Sequence, residues 1–285
     1  MSRPPIHKQM KDVDDAIAEY PEYKNVLTLH LAILKIREQI ETLPTKGTNI
    51  RWDRGLPTDL RQHLYSKRKT AVKFLTASMF DEEIAIDVCR KAIHTLSRHG
   101  IGGKNLLKVS DALTRGEIKI AASLEAILKE KTEWFEEQGR RFEVDSRLLR
   151  YVFGILIQPC LEEIARKLDT SFLEQWWQPS CPVCGGIPQI AWLGKQKRYL
   201  TCSFCGAKYL ADMFLCANCG NTDPYTLGYL KPKEKPWFKV DFCKKCKYYI
   251  KVIDGDKLKR KIPKGLEDIL TQSLDRMIRK ALAET

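Results

Sequence analysis

The stretch Cys181-Pro-Val-Cys-Gly-Gly-Ile-Pro188 decides how this chain is read, because its C-x2-C spacing returns three more times by residue 246. The pairs are Cys181/Cys184, Cys202/Cys205, Cys216/Cys219 and Cys243/Cys246. A C-x2-C turn sets two sulfurs on one side of a tight knuckle, and two facing knuckles complete a tetrahedron. Seventeen residues separate the first pair from the second, inside the spacing that marks a tetracysteine site, and twenty-three separate the third from the fourth. Sequential pairing gives two stacked ribbons. An interleaved arrangement stays open, because only ten residues lie between Cys205 and Cys216.

All eight cysteines are therefore candidate metal ligands. A redox dithiol wants a strand leading into a helix, whereas these pairs sit among turns and short strands. Four thiolates suit zinc or a single iron, and spacing does not separate the two. With every position filled by sulfur, neither ion could activate water, which argues against metal-assisted hydrolysis. The residue after the second sulfur often needs a positive φ, which glycine adopts without cost. Gly185, Gly206 and Gly220 hold that place; Lys247 holds it in the fourth knuckle, which should be looser or differently shaped.

Around the knuckles, short β-prone runs (Ile187–Leu193, Arg198–Thr201, Lys208–Phe214, Tyr225–Leu230, Trp237–Phe242, Tyr248–Ile253) alternate with Cys/Gly/Pro turns. From Lys264 a helical period returns through Leu266, Ile269, Leu270, Leu274, Met277 and Ile278. Upstream, the chain reads as helices. Val26, Leu29, Ile33, Ile36, Ile40 and Leu43 form one stripe, ended by Pro44 and Gly47, and Ile50–Pro57 is a loop by composition. A second helix is expected over Thr58–Met79, with Leu60, Leu64, Ala71, Phe74 and Leu75 inward. Asp81 caps a third, carrying Ile84, Val88, Ala92 and Leu96 and closed by Gly100. Further helices are expected around Leu106–Leu113 and over Glu117–Gln138, with Gly116 and Gly139 as stops, and over Asp145–Asp169 with a break before Pro159.

The expected architecture is α+β and multidomain: a helical domain over 1–178, tetracysteine modules over 179–213 and 214–255, and a C-terminal helix over 256–285. Hydrophobic residues make up 44% and charged residues 30%, ordinary for a globular protein. No apolar stretch is long enough to cross a membrane, and Met1–Met10 has no signal core, so a cytoplasmic location is expected and with it reduced thiols. Residues 181–285 hold 20 of the 49 Lys and Arg but only 10 of the 36 Asp and Glu. Thiolates around two divalent ions would cancel part of that excess.

The knuckle region resembles the formate dehydrogenase accessory protein family FdhE. Cys181-Pro-Val-Cys-Gly-Gly-Ile-Pro188, Arg198-Tyr-Leu-Thr-Cys-Ser-Phe-Cys205, Cys216-Ala-Asn-Cys-Gly220 and Cys243-Lys-Lys-Cys-Lys-Tyr-Tyr-Ile-Lys251 are similar to the family's four knuckles in order, and Leu266–Met277 to its last helix. The motifs cover roughly 176–278; upstream only the layout is similar. This chain has Lys208-Tyr209 where the family usually has a tryptophan. The resemblance implies two rubredoxin-like modules, which favours iron over zinc. It also implies a non-enzymatic chaperone that binds the molybdenum- or tungsten-dependent formate dehydrogenase catalytic subunit in the cytoplasm, often ahead of twin-arginine export.

Exposed aromatic and basic groups, Trp192, Trp237, Lys244 and Lys245, are candidates to meet such a client. Two other classes compete. A basic zinc ribbon with interleaved aromatics fits nucleic acid, through Lys231, Lys233, Lys235, Lys244, Lys245, Lys247 and the Lys257–Lys261 cluster. A rubredoxin-like electron carrier would need iron. Gly100-Ile-Gly-Gly-Lys104 lacks P-loop spacing and reads as a connector. His7, His30, His63, His94 and His99 are scattered, Trp176 and Trp177 are expected at the domain junction, and Cys89 and Cys160 in the core.

Overall fold

A computed structural model describes residues 3–41, 58–65 and 69–283. The chain divides into two compact units: Pro5–His63 with Ala71–Glu163, and Met1–Pro4 with Leu64–Thr70 and Ile164–Thr285.

The first unit is helical. It comprises α1 (Ile6–Glu19), α2 (Lys24–Glu41), most of α3 (Thr58–Tyr65), α4 (Glu82–Arg98), α5 (Gly103–Thr114), α6 (Ile120–Leu128), α7 (Thr132–Phe142) and most of α8 (Ser146–Lys167). On α2 the buried face carries Leu27 and Leu34 beside the expected Ile33 and Ile36. The side chain of Ile40, the residues Leu43, Pro44 and Gly47, and the loop Ile50–Pro57 lie outside the described residues. Asp81 caps α4 as its position predicts, its carboxylate accepting from the Glu83 and Ile84 amides.

Three expected boundaries are corrected. The helix anticipated over Thr58–Met79 stops at Tyr65, and the remainder is 3-10 turns at Ala71–Phe74 and Ala77–Met79. Thr76 is extended and its hydroxyl pairs with that of Ser78, the local competition by which Ser and Thr break helices. The helix anticipated over Glu117–Gln138 is two, α6 and α7. It ends where Glu130 adopts φ 55°, with Lys131 donating to the Ala126 carbonyl in a Schellman closure. Gly139 lies inside α7 rather than ending it, and what requires glycine there is the Val144 carbonyl oxygen, 2.8 Å from where a Cβ would sit. Finally, α8 passes through Pro159 without a break; buried Val152, Phe153, Leu156 and Leu161 hold it against the lost donor.

Inside this unit, Arg37 of α2 and Glu162 of α8 are both buried, with Nη2 2.9 Å from Oε2. Gln9 Nε2 of α1 donates to the same oxygen at 3.0 Å.

The second unit has the short helix α9 (Thr170–Glu174), a six-stranded sheet and two C-terminal helices, α10 (Glu267–Leu270) and α11 (Gln272–Ala283). The strands are β1 (Ile190–Gly194), β2 (Lys197–Thr201), β3 (Lys208–Ala211), β4 (Leu227–Leu230), β5 (Phe238–Cys243) and β6 (Tyr249–Asp254), each within or overlapping an expected run. Their order is β3-β2-β1-β6-β5-β4. Every pairing is antiparallel except β1 with β6, which is parallel and joins two three-stranded ribbons. The helical period from Lys264 starts a helix only at Glu267; buried Lys251 of β6 docks it, its ammonium 2.8 Å from Asp275 Oδ2 and 3.0 Å from the Asp268 carbonyl oxygen.

Replacing Glu162 with Leu strands the Arg37 guanidinium in the helical core. Urea denaturation followed by circular dichroism should show a loss of about 3–5 kcal/mol. A loss below about 1 kcal/mol would show that the pair is dispensable.

Candidate metal centres

Each knuckle is built by the same two backbone bonds. The amide four residues after the first cysteine donates to that cysteine's carbonyl: Gly185 to Cys181, Gly206 to Cys202, Gly220 to Cys216 and Lys247 to Cys243, at 2.8–3.0 Å. The first cysteine's amide donates onward to the carbonyl of Gly186, Ala207, Asn221 or Tyr248. All four positions after the second sulfur have positive φ, 73°, 70°, 71° and, for Lys247, 60°. The expected looser fourth knuckle is thereby corrected. Its hydrogen bonds match the others, and lysine occupies the left-handed conformation that glycine occupies elsewhere.

The knuckles come together in chain order. Cys181, Cys184, Cys202 and Cys205 form one group; Cys216, Cys219, Cys243 and Cys246 form the other, with the sulfurs of each group within 4.8 Å of one another. The interleaved arrangement is not adopted. The closest sulfurs are Cys181–Cys205 at 3.4 Å and Cys184–Cys202 at 3.4 Å in the first group. In the second they are Cys216–Cys246 at 3.5 Å and Cys219–Cys243 at 3.9 Å. A tetrahedron with metal–sulfur bonds of about 2.3 Å has edges of about 3.8 Å, so both groups fit one ion each. Backbone amides already point at sulfur: Val183 to Cys181 and Gly186 to Cys184, both at 3.4 Å. Asn221 Nδ2 lies 3.6 Å from Cys243 Sγ. Among the described residues no histidine or carboxylate joins either group.

The electrostatics show why such a cluster wants a cation. Burial pushes the Cys181 and Cys205 thiols up, while hydrogen bonding from Cys181, Cys184 and Cys205 lowers Cys202. In the second group, burial raises Cys216 to about 12; for Cys246 burial is outweighed by hydrogen bonds from the Tyr248 amide, Asn218 and neighbouring thiols, which bring it to about 6. Crowded thiols cannot all ionise in mutual contact, and a divalent ion removes that conflict.

Several residues support the knuckles in roles that the sequence motifs do not assign. Tyr209, beside the expected tryptophan position, is buried and its hydroxyl donates to the Pro179 carbonyl at 2.7 Å. Tyr248 does likewise to Pro188 at 2.8 Å. Buried Arg198 of β2 donates to the Asp212 and Leu215 carbonyls, just ahead of the third knuckle, and lies 3.7 Å from Asp241 of β5. Arg3, nearly two hundred residues upstream, donates to the Ser203 and Phe204 carbonyls inside the second knuckle. Nothing in the local pattern marks a contact of that sequence separation.

No protein-family model matches the chain. Over 137 residues it is 34% identical to the Protein FdhE homolog of Aquifex aeolicus (strain VF5), covering 46% of this chain and 48% of that protein. The chain thus spans about half the length of the curated relative it matches. The crystal structure of the FdhE protein from Pseudomonas aeruginosa superimposes with a TM-score of 0.55 at 17% identity, covering 99% of this chain and 93% of the other. These findings support the FdhE family. The fold likeness to the FdhE structure runs through the helical half, where the knuckle motifs offer nothing to compare.

Other expected residues are placed as follows. Trp192 and Trp237 are half-buried, so neither is the open aromatic that was anticipated; Lys244 and Lys245 are exposed. Trp176 is buried against Phe172 and donates to the Ser180 carbonyl, whereas Trp177 is half-exposed. Cys89 is buried and Cys160 partly so. Residues 100–104 connect α4 to α5.

The Lys247→Gly variant should keep the fourth knuckle and gain up to about 1 kcal/mol, by removing a left-handed non-glycine residue. Gly206→Ala should lose stability, since its Cβ would lie 2.5 Å from Arg3 Cγ as well as at φ 70°. Thermal melts of the two variants check the pair. Equal shifts of one sign would contradict the shared geometry.

Proposed function

We propose that this chain is an accessory chaperone for formate dehydrogenase assembly, that it binds the molybdenum- or tungsten-dependent catalytic subunit during cytoplasmic maturation, and that it catalyses no reaction of its own. Each four-cysteine group holds one iron or zinc ion, two per chain, through Cys181, Cys184, Cys202 and Cys205 and through Cys216, Cys219, Cys243 and Cys246. The observation that carries this reading is the pair of closed sulfur shells on one shared sheet. Four protein ligands per ion leave no open position for water or substrate, so the ions serve as scaffold. Ligation stiffens the turns that join strands only four to six residues long. The likeness to the FdhE homolog of Aquifex aeolicus and to the Pseudomonas aeruginosa FdhE fold supports the choice of client. Met213, Phe214, Tyr225 and Tyr229, all well exposed around the second group, offer the client more apolar surface than Trp192 and Trp237 do.

One observation favours a second reading. Cys219 is exposed, which puts one sulfur of the second group where an electron could pass to a partner. That role requires iron and a reversible bleach of its visible band on reduction, and zinc in the native protein excludes it.

Two measurements test the assignment. Elemental analysis of the Cys181→Ser variant should show about one metal equivalent fewer, with the helical unit still folded; two retained equivalents would refute this ligand. Affinity capture from the native host should recover the dehydrogenase catalytic subunit in a complex that survives high salt. Material absorbing at 260 nm that leaves as salt rises would instead favour nucleic acid.

A further inference from the structure

A second feature of the sheet unit is independent of the sulfur groups. A cavity of about 350 Å³ opens between the second knuckle and the segment leading to α10, within the size range of small-molecule sites. Its wall carries four cations, Arg3, Lys208, Lys261 and Lys264, against a single carboxylate, Glu267. These groups feel one another. Burial lowers Lys208, and repulsion from Lys264 adds to it; burial likewise lowers Lys264, with Lys261 contributing. Burial raises Glu267, which Arg3 and Lys208 offset and whose Oε2 accepts from the Gly265 amide at 2.6 Å.

Most lysines of this half that approach a carboxylate are spoken for. Among the described residues Lys208, Lys261 and Lys264 form no ion pair. Lys208 is instead held over aromatic faces, 4.9 Å from the Tyr199 ring centre and 5.4 Å from that of Trp192. Glu267 offsets part of the burial cost of Lys208 and Lys264, but one carboxylate against several cations around one concavity leaves an excess of positive charge that an anion would relieve. The remaining wall is apolar, from Trp192, Leu258 and Ile262, and the cavity is also lined by Thr201, whose buried hydroxyl has no hydrogen-bond partner among the described residues.

We propose that this cavity binds a small organic diphosphate of nucleotide size, its phosphates on Lys208, Lys264 and Arg3 and its organic part against Trp192, Leu258 and Ile262. Four cations less one carboxylate match the charge of a diphosphate. The apolar wall has no use for an inorganic anion.

The test is isothermal titration calorimetry of the full-length, metal-loaded protein with ADP and, separately, pyrophosphate. ADP should bind saturably at one site per chain, at least about tenfold tighter than pyrophosphate. The double variant Lys208→Gln/Lys264→Gln should weaken ADP binding by about tenfold or more while keeping its full metal content. Lys261→Glu, an exposed charge reversal with no packing role, should weaken it as well, and Lys91→Gln on α4 should not. Absence of saturable ADP binding, equal affinity for pyrophosphate, or unchanged affinity in both the double variant and Lys261→Glu would overturn the site. Metal content, read on the same samples, is indifferent to that outcome.

Discussion

Eight thiol sulfurs in two groups of four, each held 3.4–3.9 Å from its nearest partner, are the constraint around which the sheet unit is organised. Sulfurs that close repel one another once ionised and lose hydration if neutral and buried. The backbone must therefore impose the geometry from outside, and the knuckle does so with two amide–carbonyl bonds and one left-handed residue. The surrounding side chains then brace the knuckles rather than the sulfurs. Tyr209 and Tyr248 each tie a neighbouring proline carbonyl, and Arg3 ties two carbonyls of the second knuckle. Every one of these bonds is between a side-chain donor and backbone that no strand satisfies, as a turn-rich module demands.

The two sulfur groups are built on a repeated path. In each ribbon a knuckle precedes two antiparallel strands, a second knuckle follows, and a third strand closes the sheet: β1, β2 and β3 in one, β4, β5 and β6 in the other. The ribbons meet where β1 runs parallel to β6, Ile190 opposite Lys251 through Leu193 opposite Asp254. This seam pairs one edge of each three-stranded ribbon and so leaves only β3 and β4 as edge strands of the sheet. Arg198 reinforces it from the side, anchoring the chain between the ribbons and reaching toward Asp241.

The knuckles and strands were legible because their signals are local. C-x2-C spacing, glycine at 185, 206 and 220, and period-two apolar runs each act within a few residues. What could not be read depended on residues doing an atypical job or on distant partners. Glu130 and Glu143 close α6 and α7 in the left-handed conformation with the same Schellman bonds that Gly100 and Gly116 provide for α4 and α5. A glycine marks such an end in the sequence and a glutamate does not. Lys247 repeats that substitution at the fourth knuckle. Conversely, Gly139 looks like a stop, yet it is there to let a carbonyl approach inside a helix. The cavity beside the second knuckle draws on residues 3, 192, 208 and 258–267, a set that no window of sequence contains.

The basic excess of residues 181–285 also changes meaning once side chains are placed. Lys251 is buried between Asp268 and Asp275 and cannot meet an external phosphate backbone. Lys239 pairs with Asp241 and lies over the Tyr229 ring, Lys245 is held by Asn221 and Asp223, and Lys257 by Asp254. A nucleic-acid footprint needs cations aligned on one face and free to displace counterions. Charges engaged in local pairs contribute little to that. Part of the excess thus neutralises carboxylates that position the sheet and its helices, and part, Lys208, Lys261 and Lys264, lines one cavity.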